Sequence, residues 1–508
     1  MLFNSYLFIF IFLPATLLGW FGLNKLHAYR IALAFLVGMS LWFYGYFNPS
    51  YLLIIISSVI VNYSLSYFLD KLKAGSLRII WLLSGLLFNL GILFYYKYFD
   101  FFIENVNVLF RADFALRHIL LPLGISFFTF QQISFIIDRY RGKATHYRFL
   151  NYAAFVTFFP QLVAGPIVLY DELMPQFEDL KKREFSTDNF TKGLWMFSIG
   201  LGKKVLLADV LAGVANYGFD NVIFLDSIST LIVGLFYMFE LYFDFSGYSD
   251  MAMGLGFMFN ISLPMNFNSP YKACSMKQLW QRWHITLSRF FVQYVYIPMG
   301  GSRKGKPRAL FNVFFIFLLS GLWHGAAWTF VVWGVIQGLA LVWDNLYLIG
   351  VKGQGDKKEP RIGIPKLLGQ FLTFNFFLGT LFVFRANTLS DSLTMFKNLF
   401  SFRYTGSISR LFFTLYINSR TSSGTGYMRS AFRPRSSMCV WMPTSLKGLQ
   451  KARTARLGFS PAMRFTCSKA PPFVSTRAKQ PMSIIAGAIR SNWSLRGWNL
   501  PDDCHISR

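Results

Sequence analysis

The sequence has little charge and little cysteine. Only 14% of its 508 residues are charged, whereas soluble globular proteins approach about a quarter. The spacing of its four cysteines, Cys274, Cys439, Cys467 and Cys504, fits neither a zinc site nor a disulfide framework. We therefore expect no soluble globular domain, no disulfide scaffold and no bound metal.

Acidic residues are scarcer than basic ones, with 23 Asp and Glu against 50 Lys and Arg, which gives a net charge of +27. In a soluble protein this excess would suggest a nucleic-acid partner. Here the basic residues lie mostly in short loops between apolar runs, as they do in membrane proteins. We expect contact with a lipid bilayer and no nucleic acid.

Hydrophobic residues make up 54% of the chain and aromatic residues 19%. A membrane-crossing helix needs roughly twenty apolar residues. Apolar runs near that length lie at about 5–22, 31–47, 51–69, 79–96, 119–137, 193–215, 224–243 and 367–384, and the run 310–350 is long enough for two crossings. Residues 251–263 are too short to span. These runs predict an all-α, polytopic membrane protein with nine to eleven spans.

One apolar run is not expected to form a continuous helix. Residues 149–170 contain FFPQLVAGPI, in which Pro160, Gly165 and Pro166 disfavour an unbroken helix. Irregular backbone at membrane depth is tolerated only where protein or a cavity surrounds it. We predict a re-entrant or broken segment here.

The character of the chain changes near residue 402. We divide it into a multi-span membrane domain, 1–402, and a basic, Ser- and Arg-rich tail, 403–508, without helical or strand periodicity. The composition of the tail predicts solvated disorder. Its abrupt start also fits an aberrant, frameshifted end.

A single histidine is the main candidate for chemistry. Between Leu310 and Gly350 the only side chains that can ionise near neutral pH are His324 and Asp344. An ionisable group inside a membrane segment is a functional-site hypothesis by default, and imidazole suits the deprotonation of a hydroxyl. The alternative is structural, because Gly321 and Gly325 form a small-xxx-small pair that favours close helix packing.

A second candidate region is residues 266–291, NFNSPYKACSMKQLWQRWHITLSRFF. Ser275 and Gln278 predict a helix that starts near Met276. Its apolar face comprises Met276, Leu279, Trp280, Trp283, Leu287 and Phe290, and its polar face Lys277, Gln281, His284 and Ser288. The polar face either contacts solvent and headgroups or lines a cavity. Lys277, Arg282 and Arg289 would suit an anionic cofactor such as a nucleotide phosphate.

A third candidate is YFDFSGYSDMAMG, residues 242–254, where Asp244 and Asp250 adjoin an apolar span. Nothing nearby completes a metal site, so we favour structural hydrogen bonding for these carboxylates. Together with His324 they also allow a transporter or flippase in which they relay protons.

These motifs in this order resemble the membrane-bound O-acyltransferase (MBOAT) family, and specifically its bacterial, alginate-O-acetylation-like branch. The resemblance covers about residues 1–400 and includes MLFNSYLFIFIFLP, GISFFTFQQISFIIDRYRG, FFPQLVAGPI, NFNSPY, WQRWHITLSRF and SGLWHGAAW. It implies a disc of many helices around a central tunnel. It also implies that His324 is the buried catalytic histidine and that His284 is the second polar position.

The resemblance implies a function as well: acetyl transfer from cytoplasmic acetyl-CoA to hydroxyls of an exported, alginate-like polysaccharide, directly or through periplasmic acetylation proteins. We expect a multi-pass protein of the bacterial cytoplasmic (inner) membrane with no bound cofactor. D-alanine or a longer acyl group remains open, as does a purely structural role in an export complex. Candidate binding residues for substrate or donor are Asn266, Asn268, Lys277, Gln281, Arg282, Ser288, Arg289 and Trp323.

Overall fold

The computed structural model describes residues 1–73, 75–143, 148–351 and 365–405, and this part of the chain is all-α without a strand. The helices are α1 Leu13–Lys25, α2 Tyr29–Gly45, α3 Ser50–Lys71, α4 Ser76–Leu93, α5 Phe99–Phe110, α6 Ile125–Tyr140, α7 Phe149–Thr157, α8 Phe159–Leu162, α9 Tyr170–Glu178, α10 Thr187–Gly202, α11 Asp209–Asp220, α12 Ser227–Met258, α13 Met276–Trp280, α14 Ile285–Phe291, α15 Lys306–His324, α16 Trp328–Val351, α17 Lys366–Arg385 and α18 Leu389–Leu399. The predicted fold class is confirmed. The tail, 403–508, lies outside the described residues beyond residue 405.

Short π-helical segments precede or follow several of these helices. They are Phe8–Phe12, Phe94–Tyr98, Lys203–Ala208 and Val292–Tyr296. Short 3-10 turns are found at Leu180–Arg183, Val222–Phe224 and Pro270–Lys272. Because a π turn inserts a residue into a helix, it re-aims side chains and often marks a functional site.

In the described part of the chain, seven helices are long and apolar enough to cross a membrane. They are Phe8–Lys25, Ser50–Lys71, Ser76–Phe110, Ser227–Met258, Lys306–His324, Trp328–Leu346 and Lys366–Arg385. The count is below the nine to eleven expected, since some apolar runs form shorter helices such as Tyr29–Gly45. The run 310–350 does form two helices, with His324 at their junction.

The segment 149–170 is broken, as predicted. Helix α7 ends at Thr157, α8 is a single turn from Phe159 to Leu162, and the chain then runs irregularly to Tyr170. Its residues are buried almost throughout. Protein therefore surrounds this irregular backbone, which is the condition under which it is tolerated at membrane depth.

Helix α12 is longer than expected, because residues 251–258 continue the helix that begins at Ser227. Residues 251–263, which are too short to span by themselves, thus belong in large part to a helix that is long enough to cross a membrane. The helix packs closely on α10: a Cβ on Gly254 would meet the backbone nitrogen of Phe197 at 2.6 Å, and one on Gly247 the carbonyl oxygen of Gly200 at 2.8 Å. Glycines at these positions let the two backbones touch.

The predicted amphipathic helix near Met276 is also interrupted. Its apolar face is buried as expected, but the chain turns at His284, which adopts a left-handed conformation with φ 46°. Helices α13 and α14 therefore lie on either side of this residue. The break determines the direction in which His284 points.

Candidate functional site

His324 is the last residue of α15, since Gly325 leaves the helix with extended torsion angles. The side chain is buried and lies among aromatic rings. Its ring centroid is 5.0 Å from that of Trp323, 5.1 Å from Trp333 and 5.2 Å from Phe384. The imidazole is thus held in a low-dielectric environment between α15, α16 and α17.

Small residues allow α15 and α16 to approach each other closely beside His324. A Cβ added to Gly334 would lie 2.6 Å from the carbonyl oxygen of Phe317, and one added to Gly321 would lie 2.9 Å from the Cα of Gly334. Real Cβ atoms do not approach other atoms so closely. The partner of Gly321 is therefore Gly334 on α16, whereas a Cβ on Gly325 would meet the ring of Phe330.

His284 is almost completely buried and precedes the first residue of α14. Its ring contacts Phe245, with a centroid distance of 4.7 Å. Its Nδ1 lies 3.2 Å from Oδ1 of Asn266. The same Oδ1 accepts hydrogen bonds from the backbone nitrogen of Thr286 at 3.2 Å and from its hydroxyl at 3.0 Å.

These contacts determine the tautomer of His284. Because the Thr286 backbone N–H can only donate, the Asn266 atom that faces it must be the carbonyl oxygen. Nδ1 of His284 must then carry the proton that it donates to this oxygen. Burial also lowers the pKa of His284 to about 3, so the imidazole is neutral at physiological pH and its Nε2 is an acceptor.

The two histidines meet at one side chain. The ring of Trp323 lies 6.0 Å from that of His284 and 5.0 Å from that of His324, measured between centroids. Phe127 contacts both Trp323, at 5.7 Å, and His284, at 6.5 Å. The structure therefore brings together His324, His284, Asn266 and Trp323 from the predicted set.

The other predicted residues are not part of this cluster. Asn268 and Gln281 are exposed, and Arg282 bonds to the backbone of Asn268. The backbone nitrogen of Lys277 donates to Asp344 at 2.8 Å and its ammonium to Asn345 at 3.4 Å.

Ser288 and Arg289 also have structural partners. The hydroxyl of Ser288 donates to the carbonyl of Trp280 at 3.3 Å. Arg289 donates to both carboxylate oxygens of Glu172, at 2.5 and 2.9 Å, and to the carbonyl of Ile167. The contacts of Lys277 and Arg289 thus give these cations structural roles and do not support donor binding.

The carboxylates Asp244 and Asp250 form ion pairs with lysines. Asp250 lies 2.6 Å from the ammonium of Lys203, and Asp244 lies 2.6 Å from that of Lys204. Both lysines belong to the π segment Lys203–Ala208 beside α12. The structural interpretation of these carboxylates is supported, with lysine as the partner, and a proton relay between them and His324 is not.

Sequence reasoning missed Lys97. This lysine is buried on the π turn Phe94–Tyr98, and its ammonium donates to the carbonyl of Trp323 and, at 3.4 Å, to the hydroxyl of Ser126. The signal was present, since Lys97 lies in the aromatic run FYYKYFDFF, where Asp100 is the only other charged residue. The predicted apolar run 79–96 stops directly before Lys97, and a lysine at the end of such a run is common.

A cavity of about 40 Å³ adjoins this cluster. Its wall combines Lys97, residues 121–127, Val163 and Ala164. One water needs about 10–15 Å³ of such space, so the cavity has room for a few atoms of a substrate. Within the described ranges, no three His, Cys, Asp or Glu side chains lie close enough to hold a metal ion.

The sequence of this chain is similar to those of known proteins. The model of MBOAT, the membrane-bound O-acyltransferase family, matches residues 65–378. The chain is 41% identical over 428 residues to the peptidoglycan O-acetyltransferase of Helicobacter pylori, which covers 78% of this chain and 80% of that protein. It is 37% identical over 414 residues to the probable alginate O-acetylase AlgI of Pseudomonas aeruginosa, covering 79% and 75%.

A more distant relative has a different acyl group in its name. The teichoic acid D-alanyltransferase of Streptococcus thermophilus is 29% identical over 273 residues, which is 50% of this chain and 65% of that protein. The match to the family model covers more than half of the chain and includes both histidines. This protein therefore belongs to the membrane-bound O-acyltransferase family and is a multi-pass membrane enzyme that transfers acyl groups to hydroxyls.

Proposed function

We propose that this enzyme transfers acetyl from cytoplasmic acetyl-CoA to hydroxyls of an exported bacterial polysaccharide. The observation that carries the proposal is the convergence of His284 and His324 on the ring of Trp323 in a buried aromatic site. Two relatives named as O-acetylating enzymes of peptidoglycan and alginate support acetyl as the acyl group. The enzyme would act in the cytoplasmic (inner) membrane.

In this proposal His324 is the general base. It removes the proton of the acceptor hydroxyl while the hydroxyl oxygen attacks the thioester carbonyl carbon. The carbonyl π electrons move to oxygen and form a tetrahedral oxyanion. When this collapses, the carbon–sulfur bond breaks, and the thiolate takes the proton from the imidazolium of His324. The ester is formed and the histidine is neutral again.

His284 suits the orientation of the acceptor better than the polarisation of the acyl carbonyl. Its neutral imidazole donates from Nδ1 to Asn266, which leaves Nε2 as an acceptor. An acceptor nitrogen can hold a hydroxyl hydrogen but cannot donate to a carbonyl oxygen. We therefore assign His284 to the hydroxyl-bearing substrate, with Asn266 as the residue that holds its tautomer.

The acceptor is proposed as a glycan outside the cytoplasmic membrane, reached directly or through periplasmic acetylation proteins. Peptidoglycan and alginate, the polymers named in the two most informative relatives, are both such glycans. The relative named for peptidoglycan is the more similar of the two, at 41% against 37% identity. The proposal is thus polysaccharide O-acetylation, and the polymer is left to the experiment.

The experiment is complementation in two hosts. The chain is expressed in a Helicobacter pylori strain without its peptidoglycan O-acetyltransferase and in a Pseudomonas aeruginosa strain without its alginate O-acetylase. Ester-linked acetate is then measured on the purified polymers. We expect acetylation in one host, and that host identifies the glycan. Absence of acetylation in both, with the protein present in the membrane, would refute the proposal.

Matched histidine variants test the site in the same assay. His324→Ala and His284→Asn should abolish or strongly reduce acetylation. Asparagine tolerates the left-handed conformation of His284, at φ 46°, and His118→Asn is the control because His118 is exposed and has φ 47°. Unchanged acetylation in the His324→Ala variant would show that His324 is not the general base.

A further inference from the structure

Lys97 is a buried cation beside the carboxyl end of α15. Its relative exposure is 7%, and it lies within the long apolar segment Ser76–Phe110. In the described part of the chain, the ion pairs of carboxylates involve other cations, and none reaches Lys97. An ionisable group so placed is costly and is a functional-site hypothesis by default.

The contacts of Lys97 hold its ammonium beside the catalytic helix. The ammonium donates to the carbonyl of Trp323, the residue before His324, and the neighbouring Tyr98 hydroxyl donates to the carbonyl of Leu322 at 2.8 Å. The π turn therefore caps the carboxyl end of α15. The carboxyl end of a helix also attracts a cation, because the helix dipole places about half a negative unit charge there.

Capping alone does not require a charge. The neutral hydroxyl of Tyr98 satisfies one carbonyl of the same helix end, and a neutral donor could satisfy the other. A cation retained at this position must overcome its loss of hydration. The ammonium also lies 5.6 Å from the ring centroid of Tyr98 and 5.5 Å from that of Trp323. Such cation–π contacts are weak and offset only part of the free energy that burial of an ammonium costs, so the positive charge needs a further explanation.

The cavity supplies that explanation. Lys97 forms part of its wall, together with the irregular segments 121–124 and 163–164. Phe127, on the same wall, contacts the rings of His284 and Trp323. Lys97 thus lines a space that is separated from His284 and Trp323 by the ring of Phe127, and a few substrate atoms would fit there.

We propose that Lys97 is a catalytic residue that donates to the acyl carbonyl oxygen and stabilises the oxyanion formed during acyl transfer. The inference rests on the proposed acyl transfer at His324. The carbonyl carbon of the thioester gains a bond to the acceptor oxygen, its π electrons move to the carbonyl oxygen, and the ammonium of Lys97 faces that negative charge. Lys97 keeps its proton throughout. When the carbon–sulfur bond breaks, the charge leaves with the thiolate.

A donor of this kind acts on the transition state more than on substrate binding. Loss of one oxyanion donor lowers kcat by roughly 100- to 1,000-fold in well-studied enzymes. Lys97→Met should therefore lower kcat by about 100-fold or more with little change in KM for acetyl-CoA. Lys97→Arg should retain part of the activity because it keeps the charge. Tyr98→Phe removes only the neighbouring cap and should change kcat by less than about tenfold.

The assay uses radiolabelled acetyl-CoA and membranes of the complemented host, with rates normalised to enzyme amount. Lys97→Ala is measured with and without ethylammonium, and with ethanol as the uncharged control. The proposal expects rescue of kcat by ethylammonium and not by ethanol, because only the cation restores the missing charge. A structural cap would show equal losses for the Lys97 and Tyr98 variants and no difference between the two additives, which would overturn the proposal.

The same measurements distinguish a failure of this inference from a failure of the proposed function on which it rests. If wild-type membranes transfer no acetyl, the proposed function has failed and not the assignment of Lys97. If the wild type is active and His324→Ala is inactive, but Lys97→Met retains wild-type kcat, the assignment of Lys97 alone is wrong.

Discussion

Asn266 should contribute more to the stability and activity of this protein than Asn268, which is exposed. Oδ1 of Asn266 accepts three hydrogen bonds, from Nδ1 of His284 and from the backbone and hydroxyl of Thr286. The hydroxyl of Thr286 in turn accepts from the backbone nitrogen of Ile167 at 3.0 Å. Asn266→Ala therefore removes the side-chain bonds that hold the His284 turn and that orient the Thr286 hydroxyl toward the broken segment.

The magnitude follows from these bonds. Each net hydrogen bond is worth about 1 kcal/mol, and a buried donor left without a partner costs about 1–3 kcal/mol. Because one oxygen has two lone pairs, the three bonds to Oδ1 are not all of full strength. We expect Asn266→Ala to lower the free energy of unfolding by about 2–4 kcal/mol. Asn268→Ala should change it by less than about 0.5 kcal/mol, as at other exposed positions.

The assay compares both variants in detergent, by the thermal unfolding midpoint and by acetyl transfer. Asn266→Ala should melt several degrees below wild type and lose activity, because the tautomer of His284 is no longer fixed. Asn268→Ala should match wild type in both measurements. Equal midpoints for the two variants would refute the role that we assign to Asn266.

Two further predictions concern the packing of α15 on α16 and the ion pair between Asp250 and Lys203. Gly334→Ala should separate α15 from α16 and reduce acetyl transfer, since its Cβ would lie 2.6 Å from the carbonyl oxygen of Phe317. Gly202→Ala is the control and should be tolerated, because its Cβ meets nothing within 4 Å. Acetyl transfer and the thermal unfolding midpoint of both variants check this prediction. Asp250→Asn should destabilise the protein by about 1.5–3 kcal/mol, because it weakens the hydrogen bond to the ammonium of Lys203. Combining it with Lys203→Met should recover part of this loss. A double-mutant cycle of thermal unfolding midpoints measures the recovery.

Much of the fold could be predicted from the sequence because long apolar runs have few alternatives in a bilayer. Backbone polar groups must be satisfied within each span, so an apolar run of sufficient length becomes a helix. The same rule located the broken segment, since Pro160, Gly165 and Pro166 prevent a continuous helix. His324 was found because any ionisable side chain in such a run is conspicuous.

The errors have a common cause. A break in a helix at a residue such as His284, with φ 46°, depends on contacts with Asn266 and Thr286 and leaves no signal in an amphipathic pattern. The end of α12 was also misplaced, because hydrophobicity alone cannot separate a long helix from two short ones. Lys277 and Arg289 were predicted to bind an anionic ligand, because the sequence does not show which residues of the chain they contact.

The sequence by itself determined the class of the protein and its principal catalytic candidate. Composition and run length require a multi-span helical protein, and one histidine in an apolar run requires an explanation. Only the tertiary structure decided which residues accompany it. Lys97 meets the carbonyl of Trp323 across a separation of 226 residues, and His284 meets the ring of Trp323 because the chain turns left-handed there. Such contacts depend on how helices pack, and local periodicity carries no information about that.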